Sequence, residues 1–211
     1  FGSASSSLAE GTKKKTMTKF HFIFDKTKRA EKLKEKILKN YKNYPPNIAE
    51  TIVVGGGDGF MLNSLKKFVK FKKPFYGINC GSYGFLMNNF SRGNLEKKIQ
   101  VSKKIYIKPL HITAKTNNIN KKILAINEVS LFRQSRQTAS LNIKIGKKII
   151  LKKLIGDGVL VSTPAGSTAY NLSVQGPIIS LNSKKLAVTP ISPFRPRRWK
   201  GKVVSHKQKI K

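Results

Sequence analysis

An α/β half followed by a β-rich half is the fold class this chain predicts, and three features predict it. Up to about residue 100, apolar runs that end in glycine or proline alternate with segments of helical spacing. That rhythm belongs to a parallel sheet with helices on its faces. From about residue 101 the helical spacing gives way to short alternating runs broken by turns, the pattern of antiparallel strands. The length, 211 residues, holds one large or two small domains, and an apolar content of 39% is enough to bury a core.

Residues 1–16 are small and polar, then lysine-rich, with no apolar signal segment; they read as an extension, with Met17 as a start site. The domain 17–100 opens with Lys19-Phe20-His21-Phe22-Ile23-Phe24, a buried strand. Over 27–40, Ala30, Leu33, Ile37 and Leu38 share one helical face and lysines take the other. Tyr44-Pro45-Pro46 breaks that pattern. Residues 50–54 form the second strand, and Ile52-Val53-Val54 empties into Gly55-Gly56-Gly57-Asp58-Gly59. Met61, Leu62, Leu65, Phe68 and Val69 again have helical spacing, and after Pro74 a third strand runs from Phe75 to Asn79. In such a parallel, Rossmann-like sheet ligands bind beyond the carboxyl ends of the strands. Both glycine turns, Gly55–Gly59 and Cys80-Gly81-Ser82-Tyr83-Gly84, fall at such ends and are expected to face one crevice.

The domain 101–211 begins with Ile105, Ile107, Ile112 and Ala114 in an extended run that turns at Asn117-Asn118-Ile119-Asn120. Ile123 to Leu131 returns as one strand. Leu141, Ile143 and Ile145 alternate, Gly146-Lys147 turns, and Ile149-Ile150-Leu151 comes back. A last buried strand, Val159–Val161, runs into a loop dense in hydroxyls and glycine and then a short helix ending at Ser173.

A strand that empties into glycines and then a helix leaves backbone N–H groups bare at the positive end of the helix dipole, which suits phosphate. Glycine lets the chain turn tightly and lets an anion approach without a Cβ in the way. Asp58 has two readings. It is a helix cap, or it is a carboxylate placed to meet a metal or accept a proton. The Ser/Thr/Gly loop is an ordinary turn or a set of donors for a ribose or amide-bearing ligand. Its length and its end in Tyr170 favour a site.

Charge is the loudest bulk feature: 43 Lys+Arg against 9 Asp+Glu, or +34. That excess speeds encounter with any polyanion. The lysines are scattered over nearly every segment instead of forming a stripe, so a composition-wide bias is expected and no specific nucleic-acid partner. No apolar run approaches the ~20 residues that span a bilayer, so no membrane partner is expected. One cysteine, Cys80, excludes an internal disulfide and fits a reducing, cytoplasmic compartment. His21, His111 and His206 lie far apart, and no metal site is expected.

Four blocks, in order, resemble the NAD kinases. They are Gly-Gly-Asp-Gly at 56–59, the run from Gly77 through Cys80 and Gly84 to Leu86, Asn127-Glu128, and Gly156–Ser173 with Gly176-Pro177 behind it. Thr189-Pro190-Ile191-Ser192-Pro193 is a fifth, weaker block. The resemblance implies an α/β domain, a β-sandwich-like second domain, an active site between them, and a homodimer or homotetramer. It makes Asp58 the general base toward the adenosine-ribose 2′-hydroxyl of NAD, with Gly56, Gly57 and Gly59 in the nucleotide-binding turn. Asn127 and Glu128 would hold NAD, and Asp157 would contact its nicotinamide end across a subunit interface. Thr168, Ala169, Tyr170, Asn171, Leu172 and Ser173 would line the dinucleotide pocket, with Ser192 at a further position. ATP with Mg²⁺ or another divalent cation would donate the phosphoryl group, giving NADP and ADP.

Two departures stand out. Where the family often has a basic residue before Asp157, this chain has Ile155, with Lys153 nearby. The family also continues for some tens of residues beyond the match, so the chain reads as C-terminally truncated. Three rival readings remain: a lipid kinase of the diacylglycerol type, which shares the first glycine turn but not Gly156–Ser173, a basic nucleic-acid-binding protein with a vestigial nucleotide fold, and an NAD-binding fragment without turnover. Tyr83 either stacks on adenine or packs, Cys80 reads as a small filler, and Arg195–Lys200 as a solvated basic segment.

Overall fold

The computed structural model describes residues 18–82, 84–90 and 93–211; the N-terminal extension, Met17 and Tyr83 lie outside the described residues. The chain divides into two compact units, one up to Gln100 and one from Val101 onward.

In the first unit β1 (Phe20–Phe24), β2 (Thr51–Gly56) and β3 (Phe75–Asn79) form a parallel sheet in the order β1-β2-β3. Three helices accompany it: α1 (Lys28–Leu38), α2 (Asp58–Phe68), continued by a 3-10 turn at Val69–Phe71, and α3 (Leu95–Val101). Every residue of β2 is buried, because both faces of the sheet are covered. On one face Phe20, Phe22, Val53 and Ile78 meet Leu33 and Ile37 of α1 and Leu95 of α3. On the other, Ile52 and Val54 meet Met61, with Phe60 and Leu65 of α2 beside them. Each such side chain contributes about 1.5–3 kcal/mol by leaving water, so the alternation along each strand fixes which helix lies on which face.

The helix starts differ, and the difference matters for the site. Thr27 caps α1, its side chain accepting from the Ala30 N–H at 3.3 Å. No side chain caps α2, whose N-cap is Gly57. The strand expected over 50–54 continues through Gly56, and the helix expected from Met61 begins three residues earlier at Asp58. The sequence pattern does not predict α3. It is too short for periodicity, and its signals are local: the Asn94 side chain accepts from the Lys97 N–H at 3.1 Å, and Leu95 and Ile99 turn the same face to the core.

The second unit is β-rich. β6 (Glu128–Phe132), β9 (Gly158–Ser162), β10 (Lys185–Ile191) and β11 (Lys202–Ser205) form an antiparallel sheet in the order β11-β10-β9-β6. Two hairpins, β4 (Leu110–Lys115) with β5 (Asn120–Ala125) and β7 (Ala139–Ile145) with β8 (Lys148–Gly156), complete the strands; α4 (Tyr170–Ser173) is a single turn. Ile143 and Leu154 from β7–β8 pack on Leu186, Val188 and Val204 of the sheet, with Trp199 and Ile210 partly buried beside them. Lys144 and Lys211 exchange both backbone hydrogen bonds, at 2.8 and 2.9 Å, which ties the last residue to β7.

Two expected strands are corrected here. Ile105 and Ile107 are not in a strand, and β4 begins only at Leu110. The single strand expected over Ile123–Leu131 is two, β5 and β6, broken at Ile126-Asn127. The break has a cause: the Asn127 carbonyl accepts from the Thr163 N–H at 2.8 Å, and Ile126 accepts from the Thr163 hydroxyl at 2.7 Å. Pro190 sits inside β10, yet β10 pairs with β11 only over Lys185–Val188, so the missing N–H faces no partner strand. Among the described residues no helix is long and apolar enough to cross a membrane.

Candidate active site

The first unit places Asp58 as the first residue of α2, directly beyond the carboxyl end of β2. The Cys80 N–H donates to the Gly56 carbonyl at 2.8 Å, which brings the turn after β3 beside the turn after β2. Asp58 does not cap its own helix. Its carboxylate accepts from two backbone N–H groups of that neighbouring turn, Phe85 to Oδ2 at 2.8 Å and Leu86 to Oδ1 at 3.0 Å. Each carboxylate oxygen has a second lone pair, so the group is held at a fixed angle and still has capacity to accept a proton donor. The glycines serve space more than conformation. A Cβ at Gly57 or Gly59 would meet nothing within 4 Å, so the start of α2 is open to an incoming group, and neither glycine has a positive φ. Uncapped N–H groups at an open helix start are an anion seat. The Cys80 thiol is pushed up by burial and by nearby Asp25, so it stays protonated.

In the second unit, Asn127 and Glu128 stand at the β5–β6 break. Asn127 Oδ1 and Glu128 Oε2 are buried and accept no hydrogen bond from the protein. A buried acceptor without a donor costs about 1–3 kcal/mol, so two adjacent ones mark a place where something else supplies the donors. Burial also raises the Glu128 carboxyl above its ordinary value. The main chain around them is over-determined. Gly166 donates to the Thr163 hydroxyl at 3.2 Å, and a Cβ on Gly166 would run into the Asn127 backbone. Ser167 Oγ donates to Pro164 and accepts from the Ile179 N–H at 3.0 Å. Asn171 is fully buried; its amide donates to Ser167 and Pro177 carbonyls at 3.2 and 2.9 Å, and its oxygen accepts from Thr189 at 2.7 Å. Thr168 and Ala169 are half-buried, while Tyr170, Leu172 and Ser173 are exposed. The loop is thus a rigid platform, with Asn171 as its internal brace and Tyr170 on its outside.

Asp157 and Ser192 come together at the other end of the sheet. Register pairs Glu128 with Ser162 and Phe132 with Gly158, so Asp157, five residues along the chain from Ser162, lies about 16 Å along the strands from Glu128 at ~3.3 Å per residue. Arg133 Nε donates to Asp157 Oδ1 at 2.6 Å. That bond holds the Asp157 carboxyl below the usual carboxylate range; partial burial opposes it, and Ser192 and the Arg133 charge add to it. Ser192 has φ +45°, the left-handed region that a non-glycine residue rarely adopts. Arg133, the partner of Asp157, is a residue that no motif signals. Its hint is scarcity, since Glu128 and Asp157 are the only acids from 101 onward.

Comparison with known proteins supplies the chemistry's context. Residues 126–211 match the family model of the ATP-NAD kinase C-terminal domain. An NAD kinase from Brucella melitensis is 48% identical over 189 residues, covering 89% of this chain and 74% of the relative. One from Caulobacter vibrioides is 44% identical over 92% of this chain and 75% of its own length. Among solved structures, an Archaeoglobus fulgidus NAD kinase in complex with ATP superimposes with TM-score 0.65 at 25% identity, over 92% of this chain and 79% of that one. Yeast NADH kinase complexed with NADH shares the fold, with TM-score 0.65 at 24% identity over 92% of this chain and 71% of that one. With nearly half its residues identical to curated NAD kinases over most of its length, the chain belongs to the NAD kinase family.

Proposed function

We propose that the chain transfers the γ-phosphoryl group of ATP to the adenosine-ribose 2′-hydroxyl of NAD, giving NADP and ADP, with Asp58 as the general base. The family carries the reaction. The observation that carries the reading of the site is the pair of buried oxygens, Asn127 Oδ1 and Glu128 Oε2, that accept nothing from the protein. A ribose and an amide or amine present the O–H and N–H donors that such a pair lacks. Phosphoryl transfer asks mainly for alignment and charge stabilisation, and the open, uncapped start of α2 at Gly57–Gly59 suits a phosphate there. Mg²⁺ or another divalent cation enters as part of the donor, bound to the ATP phosphates. Asp58 is oriented by the Phe85 and Leu86 N–H groups; in this reading its remaining lone pair takes the 2′-hydroxyl proton as the phosphoryl group arrives. In the second unit, Thr168, Ala169, Tyr170, Leu172 and Ser173, on the outer side of the braced loop, contact the dinucleotide in this reading.

The same reading includes a homo-oligomer. Asp157 stands at the far end of β6 from Asn127 and Glu128, which suits contact with a dinucleotide held by a second copy. β6 is an edge strand, and its Leu131 and Phe132 are 59% and 53% exposed, a surface that a second copy would cover. A cytoplasmic location accords with a chain whose single cysteine, Cys80, has no disulfide partner.

Incubation with MgATP and either NAD or diacylglycerol tests the reaction. NADP formation without phosphatidic acid is the expected result, and lipid phosphorylation without NADP would reverse the assignment. Sedimentation of the chain tests the oligomer, for which a mass of two or four copies is expected.

A further inference from the structure

The second unit contains a cavity of about 420 Å³ for which the phosphoryl-transfer reading has no use. Spaces of roughly 300–1,000 Å³ hold small molecules. Its floor is the Thr163-Pro164-Ala165 turn with Leu186. Lys104, Lys108, Lys184 and Lys185 line it, and no carboxylate does. The only acids from 101 onward are Glu128 and Asp157; neither lines the cavity, and Asp157 is already paired with Arg133. Four exposed lysines around one cavity with no carboxylate in its lining make a region of positive charge, which a small polyanion would neutralise. Beside them stands Tyr106, a lining residue that is 82% exposed. An aromatic face held open at a cationic pocket is a stacking platform for a base. Asn182 and Ser183 add neutral donors of the kind a ribose uses.

We propose that this cavity is a second ligand site, for a nucleoside polyphosphate: phosphates on the four lysines, base on Tyr106. The floor gives it a consequence. Thr163, which lines the cavity, also donates to the Asn127 carbonyl. An occupant therefore bears on the turn that positions the Asn127 and Glu128 acceptors, and any coupling between the two sites is reciprocal. The binding claim stands whether or not the kinase reading does.

Calorimetric titration of the full chain at about 0.15 M salt, where exposed charges more than ~8 Å apart are screened, tests it with GTP as probe. Three variants separate local from bulk effects: Lys184→Glu with Lys185→Glu, Tyr106→Ala, and Lys147→Glu with Lys148→Glu on the exposed β7–β8 turn as a charge-matched control. The expected result is GTP binding that weakens at least about tenfold in the cavity pair and about fivefold or more in Tyr106→Ala. It is unchanged in the control pair and persists under saturating NAD. Tripolyphosphate binds more weakly than GTP, and guanosine not measurably. Equal losses in both lysine pairs would reduce the effect to bulk charge. GTP affinity unchanged in the cavity pair, or displacement of GTP by NAD that is strictly competitive and does not level off as NAD rises, would locate binding elsewhere. Either outcome overturns the site. Tripolyphosphate matching GTP, with Tyr106→Ala silent, overturns its nucleoside part.

Discussion

The two units hold their key acids in opposite states. Asp58, in the first, has both oxygens engaged by backbone N–H groups of the Phe85-Leu86 turn. Glu128, in the second, has a buried oxygen with no partner, beside an Asn127 oxygen in the same condition. Backbone donors fix a carboxylate without consuming it, which is what a group that must act repeatedly at one angle requires. An unsatisfied buried acceptor costs stability until a ligand arrives. In the proposed reading, one unit is prepared for chemistry and the other for capture. Around Glu128 the cost is borne by a loop whose own polar groups are almost all paired, from Thr163 through Ser167 to Asn171.

Four changes sharpen or break that contrast. Asp58→Asn should lower turnover by about 10²–10⁴ while NAD affinity holds; equal losses in both would make Asp58 a binding group and erase the difference between the units. Asn171→Ala removes the brace and strands two buried partners, the Ser167 carbonyl and the Thr189 hydroxyl, and the part-buried Pro177 carbonyl, so the unfolding free energy should drop by about 3 kcal/mol or more, and NAD binding should go with it. A denaturant titration that leaves stability unchanged would mean the platform is not over-determined. Glu128→Gln removes a buried charge. The native carboxyl is raised, so the folded state holds its proton more tightly than the unfolded one, and stability falls as pH rises through the raised value. At neutral pH the variant should therefore unfold slightly later, by less than about 1 kcal/mol after screening, yet bind NAD about tenfold more weakly. Arg133→Met is the smallest. Asp157 is lowered in the folded state, so its pairing stabilises above the unfolded value of about 3.9 and fades as pH falls through the folded one. The variant's small deficit in melting temperature at neutral pH should vanish in acid.

Much of the first unit is legible in the sequence, because Phe20, Phe22, Ile52, Val53 and Val54 sit in runs whose period and glycine endings declare strands under helices. The second unit is harder. Ile126-Asn127 looks like the middle of one strand and is a break, since what diverts it is a hydroxyl from Thr163, thirty-seven residues away. Long-range side-chain-to-backbone bonds leave no local period. The partners of the site residues are hidden for the same reason. Phe85 and Leu86 act through backbone N–H groups, which every residue has, and Arg133 is one basic residue among 43 Lys+Arg. The glycine-rich blocks are visible because their composition is unusual; that Gly57 and Gly59 supply open space instead of a special φ is visible only in three dimensions.

Proton exchange on NAD binding tests the central claim most directly. If donors from the dinucleotide complete the Asn127 and Glu128 oxygens, they favour the ionised carboxylate and pull the raised Glu128 value down, so binding must release protons. Calorimetry in two buffers of different ionisation enthalpy, at about pH 5, just above the ordinary Glu value of about 4.3, measures that release. Fractional proton release in the native chain that disappears in Glu128→Gln is the predicted result. Binding with no release, or with the same release in the variant, would contradict it.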